Sequence, residues 1–366
     1  MKNKLSIIII AILLIFSLLA LANNNNQIKN NTENQDKAYI IDIEKYIYDN
    51  LKLSPKEYQF KEISNNENGN IIYTFKIFKA KGTLLININI PYNLIGYRIL
   101  ENVKELSSIS IGFDNTILLN TITGENKFYY INSSGTTSFD SPSFNTTKIH
   151  SFKNGFYWIG FKYKDKNKKL ADKNQYLFIF QNNKITDYSL TKIKNKIKLP
   201  FNLIVINPNT AIIEKAYNLV SKDLFMYNLK TEELEKIENQ KNIIIGNTYA
   251  NKLYYLIADQ KTYEIEIKSI NLTNLNISKE AVIKLPENNN PEIKYFPINL
   301  WKTQSYILLN LFSKENKNIK TIIYNKNLEE ILNKDYQNKL PILYETQTQT
   351  GYYYIYKEYV EIFTLK

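Results

Sequence analysis

The chain has 366 residues, 44% of them hydrophobic and 22% charged, with no cysteine, one histidine and a formal charge of +12 at pH 7. Absent cysteine excludes disulfides, thiolate metal sites, cysteine nucleophiles and a lipid-modified amino-terminal cysteine, and a lone His150 excludes a multi-histidine metal site within one chain. No cofactor and no metal is expected. Arg98 is the only arginine among the 47 basic residues. The abundance of Lys, Asn, Ile and Tyr marks A/T-rich codons, whereas a nucleic-acid surface favours the bidentate fork of arginine, so nucleic acid is not an expected partner.

Residues 1–22 open with Lys2 and Lys4, continue as an uncharged apolar run from residue 5, and close on Ala20-Leu21-Ala22. A basic start, an apolar centre and an A-x-A end form a secretory signal peptide. The alternative is an uncleaved single-span anchor in the inner membrane, since 18 residues are just long enough to cross a bilayer. Cleavage lowers the net charge by two. Residues 23–37 are polar and low in complexity, which predicts a flexible tether. The expected location is the periplasm or the exterior of the cell.

Residues 38–48 (AYIIDIEKYIY) read as a strand, with 43–53 the one stretch open to a helical reading; 38–57 serve as a closing strand and lead-in segment. From residue 58 the pattern is short strands rich in β-branched and aromatic residues, bounded by Asn, Gly, Lys or Asp. A triplet recurs. First strands fall near 58–63, 107–113, 147–152, 203–207, 242–246, 295–300 and 341–345. More apolar second strands follow near 71–78 (IIYTFKIF), 116–121, 156–163 (FYWIGFKY), 211–216, 252–258, 305–312 (YILLNLF from 306) and 351–357. Third strands end in an aromatic or aliphatic residue followed by Asn or Gln: Ile131-Asn132, Phe180-Gln181, Tyr227-Asn228, Ile270-Asn271 and Tyr324-Asn325. Asn tolerates left-handed backbone and suits tight reversals. A weaker fourth strand follows each.

Four antiparallel strands at a period of roughly 40–54 residues mean propeller blades. The expected fold is all-β, a β-propeller of about seven four-stranded blades forming one domain over 38–366, with tandem β-sandwiches as the alternative. The chain ends at a third strand, so 38–48 is expected to supply the missing fourth strand and close the ring. Pro55, Pro142, Pro200, Pro286, Pro291 and Pro341 fall between a fourth strand and the next first strand, where no ladder N–H is needed. At this level of pattern residues 58–366 resemble exported bacterial β-propeller repeat proteins. No subfamily signature accompanies the resemblance, and propellers host both enzymes and binding platforms.

Few residues carry chemistry. His150 lies in a first strand, the innermost place in a blade, and beside a carboxylate such as Asp140 has the makings of a general base; an ordinary strand histidine is the bland reading. Lys192, Lys194, Lys196 and Lys198 alternate in 192–198 (KIKNKIK), which on a strand places four lysines on one face, either an anionic-surface binder or a guarded outer strand. Trp158 reads as core, and Trp301, at the end of a first strand, as a ligand or partner contact. Asp residues are scattered, with no D-x-D-x-D-G calcium loop.

With no catalytic constellation visible, the expectation is a non-enzymatic scaffold of the bacterial envelope that binds a protein or envelope component through the inter-blade loops 99–106, 139–148, 191–203 and 284–295. Lys192, Lys194, Lys196, Trp301 and His150 are its candidate contacts. The alternative is a channel-centred enzyme acting on a glycan or peptide through clustered carboxylates.

Overall fold

The computed structural model describes residues 38–365 apart from 67, 80–81, 102, 104, 122–125, 145, 165–169, 199–200, 218–220, 260–261, 286–294, 314–316, 337–339 and 347–348. The expected signal peptide and tether lie outside the described residues.

The chain enters through β1 (Ala38–Asp42) and α1 (Ile43–Leu51). The helix begins where Asp42 accepts a hydrogen bond from the Lys45 backbone N–H, and it ends at Lys52 in left-handed conformation. Ile43 and Ile47, four apart on one face, are fully buried. The strand expected over 38–48 is therefore half as long, and the helical reading holds for the rest.

Seven units of antiparallel strands follow. The first is β2 (Tyr58–Asn65), β3 (Asn70–Ile77), β4 (Gly82–Asn89) and β5 (Leu94–Leu100); the second is β6 (Leu106–Ile111), β7 (Ile117–Thr121), β8 (Lys127–Asn132) and β9 (Gly135–Asp140). In the third the first strand is split into β10 (Ser143–Phe144) and β11 (His150–Phe152), both paired with β12 (Gly155–Tyr163), then β13 (Leu170–Gln181) and β14 (Lys184–Ser189). After α2 (Thr191–Ile197) come β15 (Phe201–Asn207), β16 (Thr210–Ala216) and β17 (Lys222–Asn228). The long β18 (Leu234–Tyr249) is then the outer strand of the fourth unit and the first strand of the fifth, which β19 (Lys252–Asp259), β20 (Glu264–Asn271) and β21 (Ile277–Lys284) complete. The sixth is β22 (Tyr295–Lys302), β23 (Tyr306–Ser313), β24 (Ile319–Asn325) and β25 (Glu330–Tyr336). The last holds β26 (Ile342–Glu345), β27 (Thr350–Ile355) and β28 (Tyr359–Leu365), and β1 pairs antiparallel with β28 as its fourth strand.

The core lies between the sheets. Among the described residues seven apolar clusters are present, one between each consecutive pair of units, including one in which Tyr344, Tyr353 and Ile362 of the last unit meet Tyr73, Phe75 and Leu84 of the first. Second strands serve both sides: Leu253 and Tyr255 pack toward the fourth unit, Tyr254 and Leu256 toward the sixth. That is why they read as unbroken apolar runs and not as alternating ones. A sandwich would leave one face of each sheet to solvent, so the alternative fold does not apply.

The recurring asparagine has one role. The side-chain oxygens of Asn132, Asn228, Asn271 and Asn325 each accept a hydrogen bond from the backbone N–H two residues on, all at 2.9 Å. This bond nucleates the reversal into the fourth strand.

Segment 192–198 corrects the strand expectation: residues 191–197 form α2, with Ile193 and Ile197 buried against the third and fourth units. The two apolar residues are spaced by four, and Asn195 occupies the place where a strand would need a third.

Candidate functional site

Residues at or near the carboxyl ends of the first strands of five units border an open cavity of about 380 Å³. Its lining includes Asn65 and Asn66 from the first unit, Phe113 from the second, His150 and Ser151 from the third, Asn247 and Thr248 from the fifth, and Asn299 and Trp301 from the sixth. Two candidates, His150 and Trp301, are thus brought together in one cavity. It lies at the opposite end of the first strands from the loops joining one unit to the next.

Side chains that replace a missing strand neighbour stitch this end together. Asn66 donates from Nδ2 to the Gly112 carbonyl at 2.9 Å, joining the first unit to the second. The Ile149 N–H donates to Ser108 Oγ at 2.9 Å, joining third to second. Ser305 Oγ donates to Glu345 Oε1 at 2.6 Å, joining sixth to last.

His150 opposes Tyr157 in the β11–β12 pair, with ring centroids 5.1 Å apart and planes inclined by 19°. The residue as a whole is exposed, yet its pKa is lowered from 6.5, first by desolvation and second by the charge of Lys148. Both effects favour the neutral imidazole, the form able to accept a proton. Asp140, its expected partner, ends β9 on the outer edge of the second unit and is not among the cavity residues.

The carboxylate facing Lys148 is Glu62, which is not among the cavity residues. Its Oε2 accepts a hydrogen bond from the Ile109 N–H at 3.1 Å, and its Oε1 lies 3.8 Å from Lys148 Nζ. Burial raises its pKa, against the opposing pull of Lys148 and the Ile109 N–H. Sequence reading missed Glu62 because its partners lie 47 and 86 positions further along the chain; a lone acid inside a first strand was the only signal. Among the described residues no group of three or more His, Cys, Asp or Glu side chains is placed to hold a metal ion.

The remaining candidates lie elsewhere. Lys192 Nζ contacts Glu232 Oε2 at 2.5 Å, Lys196 Nζ donates to the Glu232 carbonyl at 2.6 Å, and Lys194 Nζ donates to Gln175 Oε1 at 2.8 Å. Two of the three are engaged with the β17–β18 turn, and none lines the cavity. Trp158 is fully buried, its indole N–H donating to Ser143 Oγ at 3.0 Å. Among the described residues no helix is long and apolar enough to cross a membrane.

No family model matches the chain, and no curated protein matches it. Among solved structures the fold resembles an oligogalacturonate lyase in complex with manganese, at 8% identity over 93% of this chain and 96% of the other, with a TM-score of 0.55. Further matches are the β-propeller domain of the Trilobed protease from Pyrococcus furiosus (9% identity, 82% and 90% covered, TM-score 0.49) and a prolyl endopeptidase (8%, 84% and 50%, 0.49). The chain spans about half the length of that endopeptidase. At these identities the likeness is one of fold, that of a β-propeller. It nevertheless corrects the expectation of a non-enzymatic scaffold: the lyase, matched over nearly the whole of both chains, is an enzyme, so few catalytic residue types give no reason to lean against catalysis.

Proposed function

We propose that the protein is a glycan-processing enzyme whose reaction takes place in the axial cavity, with His150 as the base. The observation that carries this reading is His150 itself, a histidine whose surroundings favour its neutral form and which lines a cavity shared with Trp301, Ser151, Thr248 and Asn299. Sugars present C–H faces to an aromatic ring and hydroxyl rims to amides and hydroxyls, and this lining offers both.

The residue types favour elimination over hydrolysis. Glycoside hydrolysis of the usual kind needs two carboxyl groups flanking the bond, and no carboxylate is among the residues that line the cavity. A uronic acid unit carries a weakly acidic C–H beside its carboxylate. His150 takes that proton, the C–O bond on the neighbouring carbon breaks, a C=C bond forms between the two carbons, and the departing oxygen is protonated from solvent. The Lys148 ammonium, close enough to depress the His150 pKa, offsets charge that builds on the substrate carboxylate. The clustered carboxylates of the alternative sequence reading are replaced by one histidine and one lysine.

Two finer readings accompany this one. The seven units close into a ring, which is supported by the β1–β28 pairing and by the apolar cluster shared between first and last units. The protein is exported, which is supported by the basic, apolar and A-x-A pattern of residues 1–22.

The test is ultraviolet absorbance of the unsaturated product when the purified protein is incubated with a panel of uronide and neutral oligosaccharides. Expected is product from uronides only, reduced roughly 10²–10⁴-fold in His150→Ala. Absence of both turnover and calorimetric binding across the panel overturns the proposal.

A further inference from the structure

We propose that an open groove between the second and third units holds the sugar units that follow the one in the axial cavity, so that cavity and groove form one track for a linear oligosaccharide. This inference rests on the glycan reading above and adds the ligand's length and the charge it tolerates at its far end.

The groove has a volume of about 390 Å³ and is lined by Asp114, Tyr130, Asn154, Gln181, Asn182 and Asn183, among others. Its position relative to the axial cavity is set by two reversals. On the turn between β6 and β7, Phe113 faces the cavity and the next residue, Asp114, faces the groove. Across the β11–β12 hairpin, Ser151 of β11 lines the cavity and Asn154 of the turn lines the groove. The two reversals form a shared wall, and a chain of sugars leaving the cavity over this wall enters the groove.

The wall is fixed in place. Asp114 Oδ1 accepts hydrogen bonds from Thr116 Oγ1 at 2.7 Å and from the Thr116 N–H at 3.2 Å, while Asn66 and Asn68 hold the Gly112 and Phe113 carbonyls at 2.9 and 2.8 Å. On the far side, Asn182 and Asn183 both adopt left-handed conformations (φ 51° and 58°), the signature of a two-residue hairpin turn.

The lining selects a chemistry. A primary amide both donates and accepts, matching a hydroxyl that does the same, and Tyr130 adds an aromatic ring. Asp114 is the one charged side chain lining the groove among the described residues, and it disfavours a carboxylate there. The ligand class is an oligosaccharide whose distal unit is uncharged, either neutral or esterified.

The test is calorimetric binding of di- and tetrasaccharides of matched composition to the full protein and three variants. Gln181→Ala, and Asn183→Gly, which keeps the left-handed backbone, are expected to weaken the tetrasaccharide about tenfold and leave the disaccharide unchanged. Asp114→Asn is expected to tighten a fully acidic tetrasaccharide at least threefold and to have no effect on one with a neutral far end. Equal effects on short and long ligands, or no effect on either, overturn the groove while leaving the axial reading intact. If the disaccharide neither binds nor turns over but the tetrasaccharide binds and loses affinity in the groove variants, the axial reading fails and the groove stands.

Discussion

Asn247 and Lys302 hold each other across two units as though they were strand neighbours: the Lys302 N–H donates to Asn247 Oδ1 at 2.7 Å, and Asn247 Nδ2 returns a hydrogen bond to the Lys302 carbonyl at 3.0 Å. The arrangement depends on a bulge in β18, where register shifts between Ile245 and Thr248 and turns the Asn247 side chain toward the sixth unit. It seats the Gly246–Thr248 segment and Trp301 in the wall of the axial cavity.

Removing the amide leaves two backbone groups of Lys302 without this partner. Asn247→Ala is expected to destabilise the protein by ~1–3 kcal/mol, read from urea unfolding. Gly246→Ala tests the same contact by a different route, because a Cβ there meets the Leu300 carbonyl oxygen at 2.8 Å. It is expected to lower the midpoint as well, and an unchanged midpoint in both variants contradicts the role given to the bulge.

A second asparagine cluster secures the first unit to the second. Asn70, 2% exposed, donates from Nδ2 to Asn115 Oδ1 at 2.7 Å and accepts from Asn89 Nδ2 at 2.8 Å, while its N–H donates to Asn66 Oδ1 at 3.1 Å. Asn70→Leu is expected to cost ~2–4 kcal/mol, since it leaves buried amides short of partners. Chemical unfolding of the variant measures this, and a loss below about 0.5 kcal/mol contradicts it.

Glu62 gives a pH-dependent stability with a definite sign. Its folded pKa is raised above the ordinary 4.5, mainly by burial, so the native state holds the proton more tightly than the unfolded chain. The resulting stability is full below pH 4.5 and is lost as pH rises through the folded value. Glu62→Gln, which still accepts from the Ile109 N–H, is therefore expected to raise Tm at pH 7–8 by about 1–3 °C and to change little near pH 4. A scan of Tm against pH decides it; a lower Tm at pH 7 shows that the Lys148 contact outweighs burial.

In α2 the apolar residues, not the lysines, hold the segment. Ile193 and Ile197 are 1% and 2% exposed, and Ile193→Ala is expected to cost ~2–4 kcal/mol. The exposed lysine contacts of Lys192, Lys194 and Lys196 contribute little individually, so alanine at all three is expected to keep the unfolding midpoint within ~1 kcal/mol and to lower solubility before stability. A larger loss shows that the Glu232 contacts brace the turn.

The sequence made the repeat legible because one local device recurs. An Asn at the end of a third strand bonds forward to its own turn, as Asn132, Asn228, Asn271 and Asn325 do, and local bonds leave a local signature. Alternation misled at 192–198, where lysines at every second position mask an Ile193–Ile197 spacing that belongs to a helix. The lining of the candidate cavity was half legible. His150 and Trp301 stood out as rare residues in first strands, but Asp140 is not among the cavity residues, because proximity along the chain is a poor guide across sheets. Glu62 and Lys148 meet through the arrangement of three successive first strands, which no local pattern encodes. The abundant asparagine, read as a product of codon usage, also serves as structural glue at Asn66, Asn70 and Asn247.

The most direct measurement is the pH profile of kcat/KM for uronide elimination in the wild type, Lys148→Met and His150→Ala. A base must be neutral to act, so the wild-type rate is expected to fall on acidification only through a pKa below 6.5. Removing the Lys148 charge raises the His150 pKa and moves that acid limb to higher pH, while His150→Ala abolishes the limb together with at least about 99% of the rate. A profile whose acid limb stays in place in Lys148→Met, or a His150→Ala protein that turns over uronides at the wild-type rate, contradicts the assignment of His150 as the base.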